Sequence, residues 1–152
     1  MRPDFNSWSL MFAHVAASRA TCCKRQVGAV VFDTNNKIVS TGYNGPPAGQ
    51  PHCTDQPCRA ITQTAPASHI GCAAVHAEAN ALIQAGLRAL GGTLAITTSP
   101  CYQCAAMIVN AGIKKVIVGE YNKLWQNTTD YETSPQKLFI QANIEVICAP
   151  AS

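Results

Sequence analysis

Two short stretches constrain this chain more than any other part of it: His76-Ala77-Glu78 and Pro100-Cys101-Tyr102-Gln103-Cys104. Together they offer one imidazole nitrogen and two thiolates. That donor set suits Zn²⁺, and three protein ligands leave a fourth position for water. The open position separates a catalytic zinc from a structural one, which four side chains close. Glu78 lies two residues beyond His76 and is the carboxylate placed to move protons. A fold for this chain has to bring both stretches to one point.

The spacing carries geometry. Cys101 and Cys104 are an i, i+3 pair and share one face of a helical turn. Pro100 suits the first helical position, and Ser99 before it can cap. Both sulfurs then sit at a helix N-terminus, where free amides and the helix dipole favour thiolate over thiol. His76 and Glu78 are an i, i+2 pair and would leave a regular helix on opposite faces. They address one metal if His76 stands at the helix entrance, ahead of the regular turns. Residues 77–87 are rich in Ala, Leu, Ile, Glu and Gln, which favour helix. The expected arrangement is two helix N-termini aimed at one zinc.

The 152 residues suffice for one domain with one core, spanning 1–152. Hydrophobic residues make up 47% and charged residues 12%, so little charged surface is available and buried subunit contacts are expected. The net charge of +3 comes without clustered Lys and Arg, which argues against a nucleic-acid partner. No apolar run reaches membrane-spanning length. The N-terminus lacks a charged-then-apolar secretory layout, pointing to a cytoplasmic protein. There the eight cysteines read as metal-binding or catalytic rather than bridged, with disulfides the lesser reading.

Along the chain, residues 5–19 read as an amphipathic helix with Trp8, Met11, Phe12 and Val15 towards the core. Residues 27–32 are a buried strand. Asp33-Thr34-Asn35-Asn36 is turn chemistry, and residues 37–41 return as a second strand. Residues 42–66 form a long loop, which in a compact domain is functional or tied down. After the His76 helix, Gly91-Gly92 acts as a stop. Strands are expected over 93–98, 115–118 and 144–147. Between them lie the Cys101 helix, reaching Asn110, and a last helix from Pro135 to Ala142. Residues 121–134 read as a loop. A hairpin and then alternating strands and helices imply an α/β fold. It is a three-layer α/β/α sandwich over a five-stranded mixed sheet whose later strands run parallel.

With these motifs in place, the chain resembles the zinc-dependent cytidine and deoxycytidylate deaminases. H-x-E, then P-C-x-x-C, is the signature of that superfamily. Gln26-Val27-Gly28-Ala29, Gly42-Tyr43-Asn44-Gly45, His76-Ala77-Glu78-Ala79-Asn80 and Ala111-Gly112-Ile113-Lys114 resemble the deoxycytidylate branch, in its bacterial and phage forms. The resemblance runs from about Trp8 to Val146, and residues 121–131 depart from it.

The resemblance implies hydrolytic deamination of dCMP to dUMP and ammonia. Zn²⁺ on His76, Cys101 and Cys104 would lower the pKa of a bound water, and Glu78 would carry protons to N3 and to the departing amine. It further implies that the Ala77 amide holds the base carbonyl, the Ser99 carbonyl faces the amine, and Asn44 binds the sugar 3′-hydroxyl. Arg25, Lys24 and Tyr121 are the candidates for the 5′-phosphate. Each has an ordinary alternative: Asn44 as a turn residue beside glycine, Arg25 and Lys24 as a solvated pair. Tyr102 and Met107 read as core or pocket wall, and His14 and His52 as surface or packing residues.

Cys22, Cys53, Cys58, His69 and Cys72 suggest a second, structural zinc pinning the long loop; free thiols are the alternative. The resemblance also implies a hexamer activated by dCTP with Mg²⁺ and inhibited by dTTP. The effector site would lie at the Gly42, Tyr43 and Gly45 segment. Two competing readings share the zinc motif. One is another zinc deaminase, acting on free cytidine, a tRNA adenosine or a riboflavin-type base. The other is a zinc-stabilised binding module without catalysis, which would have no need of Glu78.

Overall fold

The computed structural model describes residues 1–58, 72–122, 125 and 131–149. Helix α1 spans Phe5–Ala17, β1 Gly28–Phe32, β2 Ile38–Tyr43 and α2 Ala77–Ala85. Strand β3 spans Thr93–Ile96, α3 Tyr102–Asn110, β4 Lys115–Val118, α4 Pro135–Gln141 and β5 Glu145–Cys148. The strands form one sheet in the order β2-β1-β3-β4-β5. β1 pairs antiparallel with β2 and β3, while β3, β4 and β5 run parallel. The five-stranded mixed sheet is the one expected from the alternation of strands and helices.

Strands β1 and β3 are buried along their whole length, as continuous apolar runs covered on both faces must be. Ala29, Val31, Leu94, Ile96, Val116 and Val118 face a cluster built with Ala81 of α2, Ile108 of α3 and Phe139 of α4. Val30, Phe32, Ala95 and Ile117 face Leu10 and Ala13 of α1. The sheet is thus the middle of three layers. Burying a side chain such as Phe32 stabilises by roughly 1.5–3 kcal/mol.

Helix α1 departs from the expected orientation. Met11 and Val15 are 57% and 67% exposed, and the buried face is Ser9, Leu10, Ala13, Ala16 and Ala17. A β-carbon on Gly28 would collide with the α1 backbone at Ala13 and Ala17. The helix therefore lies on the sheet along its small residues, with Phe5, Trp8 and Phe12 wedged at the side. Asp4 caps α1 by accepting from Ser7 N at 2.9 Å. Helix α2 also ends earlier than the Gly91-Gly92 stop: Gly86, at φ +56°, breaks it, and a 3₁₀ turn continues over Gly86–Ala89. At α4 the N-terminal signals hold, with Ser134 capping and Pro135 in the first turn.

Candidate metal centre and its surroundings

The two motifs meet at the carboxyl end of β3. His76 is the N-cap of α2, with extended backbone (φ −69°, ψ 155°). Glu78 therefore belongs to the first turn while the imidazole stands outside it, as the two-residue spacing requires. An antiparallel bridge between Gly45 and Val75 brings the chain to this entrance. Asn80 Nδ2 then donates to Tyr43 O at 2.8 Å, and Ser40 Oγ to Ala81 O at 2.7 Å, pinning α2 to β2.

The second helix tip differs from the expected capping. Cys101 is itself the N-cap of α3, and its sulfur accepts from Cys104 N at 3.5 Å. Pro100 precedes the helix, and the Ser99 hydroxyl instead accepts from Asn122 N at 2.9 Å. The result still puts both sulfurs among the free amides of a helix start.

His76 Nδ1 lies 3.7 Å from Cys101 Sγ and 3.4 Å from Cys104 Sγ. The three ligand atoms fall within 4.8 Å of one another, and among the described residues no other His, Cys, Asp or Glu group of three does so. Tetrahedral zinc, with bonds of about 2.0 and 2.3 Å, sets nitrogen and sulfur ligands about 3.5 Å apart. The spacing and the donor chemistry fit that metal. Cys104 is buried, Cys101 half-buried and His76 exposed, so the centre opens to one side.

Glu78 is 4% exposed. Burial pushes its carboxyl up to about 7, a value suited to giving and taking protons near neutrality. The Cys104 thiol donates to the Cys101 sulfur, holding Cys101 down to about 4 and Cys104 well above the usual thiol range. The same Cys101 sulfur raises His76.

Around this centre the other expected residues fall at different distances from it. Ala77, fully buried, is the first residue of α2. Asn44 is 9% exposed and spans the entry to β1: its Oδ1 accepts from Val27 N and its Nδ2 donates to Arg25 O, both at 2.8 Å. It is more than a turn residue, and among the described residues its second amide hydrogen has no acceptor. Arg25 reaches across to Thr98 Oγ1 at 2.8 Å and Glu120 Oε1 at 3.4 Å, beside Ser99. It is therefore a partnered cation rather than a freely solvated one. Lys24 is exposed. Tyr121 stacks on Trp125, with ring centroids 5.6 Å apart and planes 4° from parallel, and burial raises its hydroxyl.

Tyr102 and Met107 are 45% and 41% exposed, not core, because the buried stripe of α3 is Cys104, Ala105 and Ile108. His14 and His52 are exposed, His52 lying 3.1 Å from Thr21 Oγ1. Gly42, Tyr43 and Gly45 line a cavity of about 670 Å³ with Pro46, Asn80 and Gln84. It includes none of the three ligands. The absent side chain at Gly42 is already explained by packing, since a β-carbon there would lie 2.5 Å from Ala81 N.

Cys22, Cys53 and Cys58 are half-buried and Cys72 is exposed, while His69 lies outside the described residues. Burial, then the charges of Cys58, Cys22, Cys23 and Cys72, raise the Cys53 thiol, yet among the described residues no three of these sulfurs lie within 4.8 Å of one another. Cys23, a free thiol raised by burial and then by a hydrogen bond with Cys58, was not expected there; its adjacency to Cys22 was the available signal. Thr98, Glu120 and Asn122 were also missed, because nothing local marks them as neighbours of Arg25 and Ser99.

The fold and these side chains define an α/β domain with a metal-binding centre and a buried acid beside it. The chain belongs to the cytidine and deoxycytidylate deaminases, whose zinc-binding region matches residues 4–120. It is 40% identical over 122 residues to the deoxycytidylate deaminase of Mycobacterium phage D29, covering 76% of this chain and 94% of that protein. It is 37% identical over 123 residues to the deoxycytidylate deaminase of Schizosaccharomyces pombe, covering 76% of this chain and 37% of that longer protein. The solved dCMP deaminase of cyanophage S-TIM5, in complex with dCMP and dUMP, superposes with a TM-score of 0.75 at 27% identity. That superposition covers 98% of this chain and 99% of the other. Among the described residues no helix is long and apolar enough to cross a membrane.

Proposed function

We propose that this protein is a single-domain, cytoplasmic enzyme that deaminates dCMP to dUMP and ammonia. The observation that carries the reading is the convergence of His76, Cys101 and Cys104 beside buried Glu78. The relatives that act on deoxycytidylate, and the structural neighbour bound to dCMP and dUMP, support the substrate.

His76, Cys101 and Cys104 would hold zinc, which would supply an activated water. Glu78, poised near neutrality by burial, is the group that takes up a proton, delivers one to N3 of the cytosine and then serves the departing amine. The Ala77 amide, at the free end of α2, donates to the base carbonyl. The Ser99 carbonyl accepts from the 4-amino group. Asn44 offers its remaining amide hydrogen to the 3′-hydroxyl. Arg25, with Lys24 and Tyr121, receives the 5′-phosphate. Arg25 rests on Thr98 and Glu120, and a phosphate would take the place of the Glu120 carboxylate beside it.

Three further parts belong to the same reading. Cys22, Cys53, Cys58 and Cys72, with His69, would hold a second, structural zinc and tie down the long loop, and to do so their sulfurs would have to draw closer than they stand here. The cavity at Gly42, Tyr43 and Gly45 takes dCTP with Mg²⁺ as activator and dTTP as inhibitor. Ile83 and Leu87, 69% and 85% exposed along one side of the α2 segment, are covered in a homo-oligomer, a hexamer in this reading. The test is ammonia release measured side by side with dCMP, CMP, deoxycytidine and tRNA. Preference for dCMP is the expected result; preference for any other of the four overturns the substrate assignment.

A further inference from the structure

Residue 122 lies outside both metal motifs, yet it holds the turn between them and the sheet. Asn122 comes after β4 and makes three hydrogen bonds. Its backbone N donates to Ser99 Oγ and its Nδ2 to Ser99 O, both at 2.9 Å. Its Oδ1 accepts from Trp125 N at 3.0 Å. The orientation of the amide is fixed by its partners, since a backbone N–H can only donate and a carbonyl can only accept. Ser99 itself is 3% exposed, and its own N donates to Glu120 O at 2.9 Å. The amide, carbonyl and hydroxyl of Ser99 are thus each held, by Glu120 or by Asn122.

The leverage comes from the position of Ser99 directly ahead of Pro100 and Cys101. The Ser99–Pro100 peptide is trans and planar, so fixing its carbonyl fixes the plane. The proline ring fixes φ of residue 100. One soft torsion, ψ of Pro100, then separates the clamped carbonyl from Cys101, whose sulfur lies 3.7 Å from His76 Nδ1. Carbonyl oxygens have two lone pairs. With Asn122 on one of them, the other is held in a set direction.

We infer that Asn122 is a positioning residue, orienting the Ser99 carbonyl towards the substrate amine and the Cys101 sulfur towards the metal. The first half rests on the function proposed above; the second does not. Asn122 is not one of the three metal-ligand residues. It acts as outer supports of metal sites do, where removal costs about 10- to 100-fold in metal affinity or activity. The clamp also joins the site to the Tyr121–Trp125 ring stack, because Trp125 N is its third partner.

The test uses Asn122→Asp, nearly isosteric. It keeps the acceptor for Trp125 N and the backbone bond to Ser99 Oγ, and sets a carboxylate oxygen against Ser99 O. Asn122→Ser removes both side-chain bonds without that repulsion and carries the test if the Asp variant does not fold. Wild type and variants are loaded with Co²⁺, and the thiolate-to-cobalt and visible bands are recorded with the Co²⁺ affinity. The expected result is shifted bands, affinity lowered at least tenfold, and with zinc a kcat for dCMP lowered at least tenfold at nearly unchanged KM. Bands, affinity and kcat equal to wild type would overturn the inference. Shifted bands in a protein whose wild type does not deaminate dCMP would uphold the positioning of Cys101 and overturn the substrate reading instead.

Discussion

Gly42 on β2 and Ala81 on α2 stand so close that a β-carbon on Gly42 would lie 2.5 Å from the Ala81 nitrogen. This contact, with Ser40 Oγ on Ala81 O and Asn80 Nδ2 on Tyr43 O, sets the height of α2 over the sheet. It therefore sets where His76 and Glu78 stand relative to Cys101 and Cys104. Gly42→Ala should force the helix away from the strand. Overpacking of this kind costs about 1–3 kcal/mol. A urea titration should show the midpoint falling, and zinc should be held more weakly than in wild type.

Glu78→Gln keeps the size of the side chain and removes the ionisable carboxylate. Zinc per chain should equal that of wild type, since Glu78 is not one of the three ligands. Turnover of dCMP should fall by about 10²- to 10⁴-fold, the usual contribution of a positioned acid–base group. Unchanged turnover would remove Glu78 from the reaction.

Much of this site could be read from the sequence, for a chemical reason. Metal ligands must lie within a few ångströms of one ion, so H-x-E and P-C-x-x-C state their own geometry. The hairpin and the parallel strands were legible from period and turn residues. What failed depended on distant partners. Met11 and Val15 look like core residues until Gly28 draws the small side of α1 onto the sheet. Ser99 looks like a helix cap until Asn122 takes its hydroxyl, leaving the cap to Cys101. Arg25 reads as a phosphate ligand or a solvated cation, and neither reading foretells its contacts with Thr98 and Glu120.

Arg25→Gln tests the phosphate assignment through a comparison of substrates. KM for dCMP should rise about tenfold or more, while the already weak reaction with deoxycytidine, which has no phosphate, should keep its rate. An equal effect on both would mean that Arg25 supports the turn at Thr98 and does not read the phosphate.

Asn44→Ala should affect both folding and binding. It leaves Val27 N and Arg25 O without the partners they have at 2.8 Å. An unpaired backbone group in a part-buried setting costs about 1–3 kcal/mol. The thermal midpoint should drop, and KM for dCMP should rise more than that for a substrate analogue lacking the 3′-hydroxyl.

The most direct measurement is ammonia release from dCMP as the protein is stripped by a chelator and then reloaded with measured amounts of zinc. The expected result is no release from the stripped protein and a rate that returns in proportion to zinc bound at His76, Cys101 and Cys104. A full rate in protein shown to contain no metal, or no release from protein with that centre filled, would contradict the reading of these residues as a zinc deaminase site.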